Sequence, residues 1–272
     1  MSKVWFITGT SRGIGRAFAE SALERGDKVA ASARNVAVLD DLVAKYGDEA
    51  VLPLALDVTD KAAVAGAVAA AHEKFGRLDV VVNNAGYGLF GMVEEITEQQ
   101  VRDQLETNFF GAFWVTQAVL PILRAQGSGH IVQVSSVGGV AAFPSLGAYQ
   151  ASKWALEGFS DSLSQEVAGL GIKVTIVEPA GFSTDWAGSS ATHSELNPAY
   201  DQVREALMAQ MGNARYSEPA SAGAALLQIV DAENPPLRVF FGTDGMEIVE
   251  PIYAQRLKTW ADWAHVSRPA QS

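Results

Sequence analysis

Two patterns alternate along the chain. Short runs are mostly apolar, at 4–8, 28–33, 51–56, 79–82, 130–136 and 172–179, and in LRVFFG from Leu237. Between most of them lie stretches whose apolar residues return every three or four positions, at 13–25, 36–46, 61–75, 98–108, 111–126 and 148–169. The last shows the period plainly, with Ala148, Ala151, Ala155, Phe159, Leu163 and Val167 on one stripe. A strand wetted on one side alternates apolar and polar residues, whereas one apolar on both sides lies in a sheet covered on both faces. Strands and helices in alternation, joined by right-handed crossovers, predict an α/β fold. Its centre is a doubly wound parallel sheet of about seven strands, with helices on both faces. No linker, repeat or second core pattern interrupts it, so residues 1–272 are expected to form a single domain. The least regular stretch, 182–216, follows the sixth strand and is the candidate lid over a binding site.

Composition removes several functions. The net charge of −11 argues against nucleic-acid binding, which needs a basic patch to neutralise phosphates. The chain has no cysteine, which excludes disulfides, thiol catalysis and cysteine-ligated metals. His72, His130, His193 and His265 are scattered without ligand spacing, so no metal site and no Ser-His-Asp site is expected. His193 falls in the candidate lid. Glycines break the first apolar run after about five residues, unlike a signal peptide. No run of about 18 apolar residues occurs, so no membrane partner is expected and a cytoplasmic protein is.

Candidate chemistry sits in two places. TGTSRGIG at 8–15 follows the first strand and opens the first helix, with Gly9, Gly13 and Gly15 in the turn. Glycines let the backbone approach a pyrophosphate, and a helix N-terminus supplies unpaired N–H donors. Such a turn also serves as a plain strand-to-helix connection, but its place after the first strand of an α/β pattern favours a nucleotide. The second place is YQASK at 149–153. Tyr149 and Lys153 stand one helical turn apart, with Cβ atoms about 5–6 Å from each other. A nearby ammonium favours phenolate and lowers a tyrosine pKa from about 10. A phenol tuned in this way can give a proton to a carbonyl oxygen and take it back. Ser136, at the carboxyl end of the fifth strand where such sheets bind ligands, can hold the same oxygen.

These motifs stand in order with Asp57–Val58, the NNAG run Asn83 to Gly86, Asn108 and VSS at 134–136. Together they resemble the short-chain dehydrogenase/reductase family, from about residue 3 to residue 184, and PLRVFFG is also in its style. The resemblance implies a Rossmann-type domain that passes a hydride between a nicotinamide dinucleotide and a carbonyl or secondary alcohol. It implies a catalytic set of Asn108, Ser136, Tyr149 and Lys153, with Ser135 structural and Asn108 linking Lys153 to solvent through water. The cofactor would lie along Gly9, Ser11, Arg12, Gly13, Ile14 and Gly15. Asp57 and Val58 would meet the adenine, and Asn83, Ala85 and Gly86 its ribose. Tyr149 and Lys153 would also hold the nicotinamide ribose, and Pro179, Gly181 and Thr184 the nicotinamide. A homodimer or homotetramer through the helices of Asn108 and Tyr149 is also implied.

At the family's acidic position, closing the second strand, this chain has Ala33 followed by Arg34, and Arg12 lies in the turn. Two guanidinium groups without a carboxylate suit a 2′-phosphate, so the expected cofactor is NADP. One departure from the pattern is EPAGFSTDW, where Ala180 replaces the glycine after Pro179 and Gly181 follows. Alanine resists positive φ, so a rearranged backbone is expected there. Tyr87, Leu89, Phe90, Phe143, Leu146, Trp186, Leu196 and Tyr200 could line an apolar pocket for a carbonyl or alcohol substrate, or simply pack the fold. A non-enzymatic NADP sensor or scaffold on the same fold is the alternative; such relatives often lose the tyrosine or lysine retained here.

Overall fold

In the computed structural model, which describes residues 2–211 and 216–271, seven parallel strands form one sheet in the order β3-β2-β1-β4-β6-β7-β9. The strands are β1 Val4–Ile7, β2 Lys28–Ala33, β3 Val51–Ala55, β4 Val80–Asn83, β6 Gly129–Val134, β7 Ile172–Pro179 and β9 Arg238–Phe241. The pleat of β1 explains why its residues are apolar throughout. Trp5 and Ile7 pack on one face against Phe18, Ala19 and Ala22 of α1 (Gly13–Glu24) and Leu226 of α8 (Pro219–Asp231). Val4 and Phe6 pack on the other against α3 (Lys61–Phe75), α5 (Gly111–Gln126) and α6 (Gly147–Val167). Side chains alternate faces along a strand, so a sheet with two covers needs apolar residues at both parities. The doubly wound Rossmann-type α/β fold read from the sequence is the observed one.

Most elements fall within a residue or two of the pattern, and the differences have local causes. The stretch 36–46 is a 3₁₀ turn, Val36–Leu39, followed by α2, Asp40–Tyr46. The stretch 98–108 is α4, Glu98–Leu105, running through a π turn, Glu106–Phe110, into α5. Asn108 lies in that π turn, a wide turn often found at functional sites. The C-terminal third adds helices that the pattern leaves unassigned: α7 (Asp201–Met211), α8, α9 (Asp244–Asp262) and α10 (Ala264–Ser267). α8 seats on α1 because Gly223 has no side chain; a Cβ there would lie 2.7 Å from the Ala17 carbonyl oxygen. Among the described residues no helix is long and apolar enough to cross a membrane.

The candidate lid is partly ordered. β5 (Leu89–Phe90) pairs in parallel with β8 (Thr192–His193), which ties the segment after Thr184 to the loop after β4. Residues 212–215 of the candidate lid lie outside the described residues.

Candidate active site

The carboxyl ends of the strands open onto a cleft of about 1740 Å³. At its floor the glycine turn is fitted closely to the end of β4. Gly9 and Gly13 have φ of +71° and +65°, in the left-handed region that favours glycine. A Cβ at Gly9 would lie 2.9 Å from the Ala85 Cα. The Thr8 hydroxyl accepts from the Asn84 and Ala85 N–H groups, each at 3.0 Å. The Asn84 amide donates to the Thr8 and Gly9 carbonyls at 2.9 and 3.0 Å. α1 begins here with no side chain capping its N-terminus, so its first N–H groups remain available to an anion. A close backbone cradle and a helix N-terminus suit a pyrophosphate, and the residues present therefore fit a dinucleotide.

The cleft brings together Gly9, Ser11, Arg12, Gly13, Ile14, Gly15, Arg34, Asp57, Val58, Ala85 and Gly86. Asn83 is placed differently. Its amide points under the sheet and donates to Thr116 Oγ1 and Gln133 Oε1 at 3.2 and 3.0 Å. Asn84 lines the cleft instead. Arg34 has no ion-pair partner among the described residues, whereas Arg12 Nη1 lies 2.8 Å from Asp185 Oδ2 in the lid. The pair of free guanidinium groups expected from the sequence is thus one free group and one already matched to a carboxylate.

Ser136, Tyr149 and Lys153 meet on the opposite wall. The Ser136 hydroxyl accepts from the Gly138 N–H at 3.0 Å. Tyr149 and Lys153, both buried on α6, point the same way, with Lys153 Nζ 5.9 Å from the phenol ring centre. Lys153 Nζ donates to the Val134 carbonyl at 2.7 Å. Burial pushes the Tyr149 phenol up to about 12, against the opposing pull of the Ser136 hydroxyl. Burial likewise brings Lys153 down to about 8, with the Glu157 carboxylate acting the other way. The sequence leads one to expect a lowered phenol pKa; here the cost of burying phenolate outweighs the ammonium, which is turned to a carbonyl.

Asn108 does not reach the cleft surface. Its Oδ1 accepts from the Tyr87 N–H at 3.1 Å, and its Nδ2 donates to Tyr87 O and Ser152 Oγ at 3.0 and 3.1 Å. It fastens the loop after β4 to α6, one residue before Lys153. Pro179, Gly181 and Thr184 line the cleft. The Ala180 N–H donates to the Phe241 carbonyl at 2.8 Å, which extends the β7–β9 pairing. Ser145 is the only described non-glycine residue at positive φ, so Ala180 fits without that strain.

The lid brings Trp186 over Tyr149, with ring centres 4.9 Å apart. Phe90 lies 5.2 Å from Trp186, and His193 stacks on Phe90. Gly88 makes room: a Cβ there would lie 2.7 Å from the Trp186 ring. Tyr87, Phe143, Leu146 and Leu196 also face the cleft. Leu89 is buried in the fold, and the Tyr200 hydroxyl donates to Glu94 away from it. The residues that sequence reasoning missed are Thr8, Asn84 and Ser145. Ser145 has φ of +68° at the cleft rim, and its carbonyl accepts from the Gly91 N–H at 2.8 Å. Among the described residues no group of three or more His, Asp or Glu side chains is placed to hold a metal ion.

Residues 3–195 match the model of the short chain dehydrogenases. The chain belongs to this family. It is 49% identical over 250 residues to the oxidoreductase BOA17 of Botryotinia fuckeliana, covering 91% of each chain. A crystal structure of a short-chain dehydrogenase from Streptomyces avermitilis superposes with a TM-score of 0.93. It shares 41% identity, and the match covers 99% of this chain and 98% of that one. Two further solved structures were determined with bound dinucleotides. An alcohol dehydrogenase from the archaeon Thermococcus sibiricus carries 5-hydroxy-NADP, with a TM-score of 0.75, 25% identity and coverage of 89% and 96%. A 3-ketoacyl-(acyl-carrier-protein) reductase from Brucella melitensis carries NADH, with a TM-score of 0.76, 25% identity and coverage of 88% and 96%. The protein is therefore an oxidoreductase of a family that binds a nicotinamide cofactor and acts on small molecules.

Proposed function

We infer that this short-chain dehydrogenase is an NADP(H)-dependent reductase of apolar carbonyl compounds, built as one domain. The observation that carries this is the convergence of Ser136, Tyr149 and Lys153 on one cleft whose far end has Arg34 and no carboxylate on β2. Bound NADPH would supply the hydride. The chain's own residues do the rest. Tyr149, fully protonated at neutral pH, gives its proton to the substrate oxygen as negative charge develops there. The Ser136 hydroxyl donates to the same oxygen and holds it in place. The Lys153 ammonium stabilises the phenolate left behind and would hold the nicotinamide ribose of a bound cofactor. Asn108 keeps the loop after β4 and α6 in register and is the proposed entry of solvent protons to Lys153. Trp186 and Phe90 close over the phenol, exclude water and favour an apolar substrate beside the carbonyl.

The cofactor part has its own test. A 2′-phosphate would pair with Arg34 and draw Arg12 from Asp185. A hydrogen-bonded charge pair is worth about 1.5–3 kcal/mol. Arg34→Ala should therefore weaken NADPH binding by about 10- to 100-fold and leave NADH binding nearly unchanged. Calorimetric titration of both cofactors decides it; equal losses for both would refute the assignment of Arg34.

A further inference from the structure

Beyond Lys153, α6 continues a row that neither the hydride transfer nor the substrate oxygen needs. Tyr149, Lys153, Glu157 and Asp161 follow one another at single-turn steps and so share one face of the helix. The first three are buried and Asp161 is not, so the row runs from the cleft to the surface. Arg238 on β9 crosses its outer end. Arg238 Nε donates to Glu157 Oε2 at 3.0 Å, and Nη2 donates to Asp161 Oδ2 at 2.7 Å. The same Nε lies 3.8 Å from Oε1 of Glu178, a second buried carboxyl group, on β7. Gly139 leaves space for the cluster; a Cβ there would lie 3.1 Å from Glu157 Cγ.

Two oxygens in this cluster lack donors. Glu157 Oε1 and Glu178 Oε1 are fully buried without a hydrogen-bond partner among the described residues. A buried carboxylate oxygen without a donor is costly, and two carboxylates in one pocket resist joint ionisation. A proton retained on Glu178 removes one of the two charges and so relieves the second cost. It also balances the charge: Lys153 and Arg238 are matched by Glu157 and Asp161, and a neutral Glu178 leaves no remainder. The Ser135 hydroxyl, from the turn after β6, also favours the charged form of Glu157.

We propose that Glu157 and Glu178 form a buried carboxyl pair holding one proton, and that the Glu157 carboxylate keeps the Lys153 ammonium charged. Glu157 is then a positioning residue for the Tyr149–Lys153 pair, on whose assignment above this role rests. Burial, and then the charge of Glu157, push Glu178 up to about 7, in keeping with a proton retained near neutral pH. Glu157 itself is raised, mainly by burial. Lys153 is a buried cation, and the Glu157 carboxylate one turn on opposes the loss of its proton.

The test uses the purified full chain and needs no turnover. Side-chain NMR of isotope-labelled lysine follows the Lys153 ammonium, assigned with Lys153→Met. Glu157→Gln should lower the Lys153 pKa by about 1 unit, the size of shift that a nearby opposite charge produces. An unchanged Lys153 titration overturns the proposal, whatever the variant does to stability. Infrared spectroscopy tests the proton. The wild-type chain should show a protonated-carboxyl band that titrates near neutral pH and disappears in Glu178→Gln. That variant copies the neutral form and should fold normally. A band absent from the wild type, or persisting in Glu178→Gln, also overturns the proposal. Should Glu157→Gln fail to fold, the infrared pair decides alone. Either result leaves the role of Tyr149 to be judged by its own variant, so the two failures are distinguishable.

Discussion

At the residue scale the site is governed by two opposed ionisations. Burial holds the Tyr149 phenol protonated up to about 12, and it brings the buried Lys153 ammonium down to about 8. Below pH 8 both groups carry their protons, the form that the proposed proton donation to a carbonyl requires. As pH rises through about 8, Lys153 loses its charge first and the phenolate left after donation loses its stabiliser. The rate of carbonyl reduction should therefore be level through neutral pH and fall above about 8, long before the phenol ionises. A rate that holds steady to pH 10 would show that Lys153 does not act on the phenol. The adjacent asparagines mark what the sequence does and does not reveal at this scale. Asn83 follows Val81 in the two-residue alternation and shares its face, under the sheet, while Asn84 falls beyond the strand and reaches the glycine turn. The strand rule would have separated the two. That Asn84 bonds the Thr8 and Gly9 carbonyls depends on how closely β1 and β4 lie, and only the folded chain gives that. In the same way, Tyr149 and Lys153 could be paired from their spacing, but the direction of the phenol's pKa depends on how dry the site is.

At the scale of elements, one carboxylate gathers several lid contacts, beside the β5–β8 pairing and the Arg12–Asp185 pair. Glu95 accepts from the Asn197 N–H at 2.7 Å, the Met92 N–H at 2.8 Å and Arg204 Nη1 at 2.6 Å. The N–H groups of Asn197 and Met92 come first, with Arg204 adding to them, and bring Glu95 down to about 2 from its ordinary 4.5. A carboxyl group with a depressed pKa in the fold contributes stability above its unfolded value and loses it as pH falls through the folded value. The lid should thus remain anchored at pH 4 and loosen only toward pH 2. Hydrogen exchange at the Asn197 amide reports this directly. Glu95→Ala should expose that amide at every pH; continued protection in the variant would place the anchor elsewhere. Little of this was legible beforehand. β5 and β8 span two residues each, too few to show a period, and they exist because distant segments pair. α7 is largely exposed and lacks a strong apolar stripe. α8 was better marked, with Pro219 at its start and Ala222, Leu226, Ile229 and Val230 on its inner face.

For the whole molecule, a sheet buried on both faces was readable because its strands carry apolar residues at both parities, and the cleft position follows from strand direction. Assembly was not readable from the apolar pattern, since an exposed aromatic resembles a buried one in sequence. In the turn leading into α5, Phe110 is 37% exposed beside the rings of Phe109, Phe113 and Trp114. A second copy packed there would cover these rings. Light scattering should accordingly give at least a dimer, and Phe110→Asp should shift it toward monomer; a monomeric wild type would contradict this. The chemistry is tested most directly by NADPH consumption on a panel of apolar ketones and aldehydes, comparing the wild-type chain with Tyr149→Phe at matched cofactor occupancy. Positioned proton donors contribute about 10²–10⁴-fold. The account predicts a loss of at least about 100-fold in Tyr149→Phe, with NADPH still bound. Equal turnover by the two proteins would contradict it.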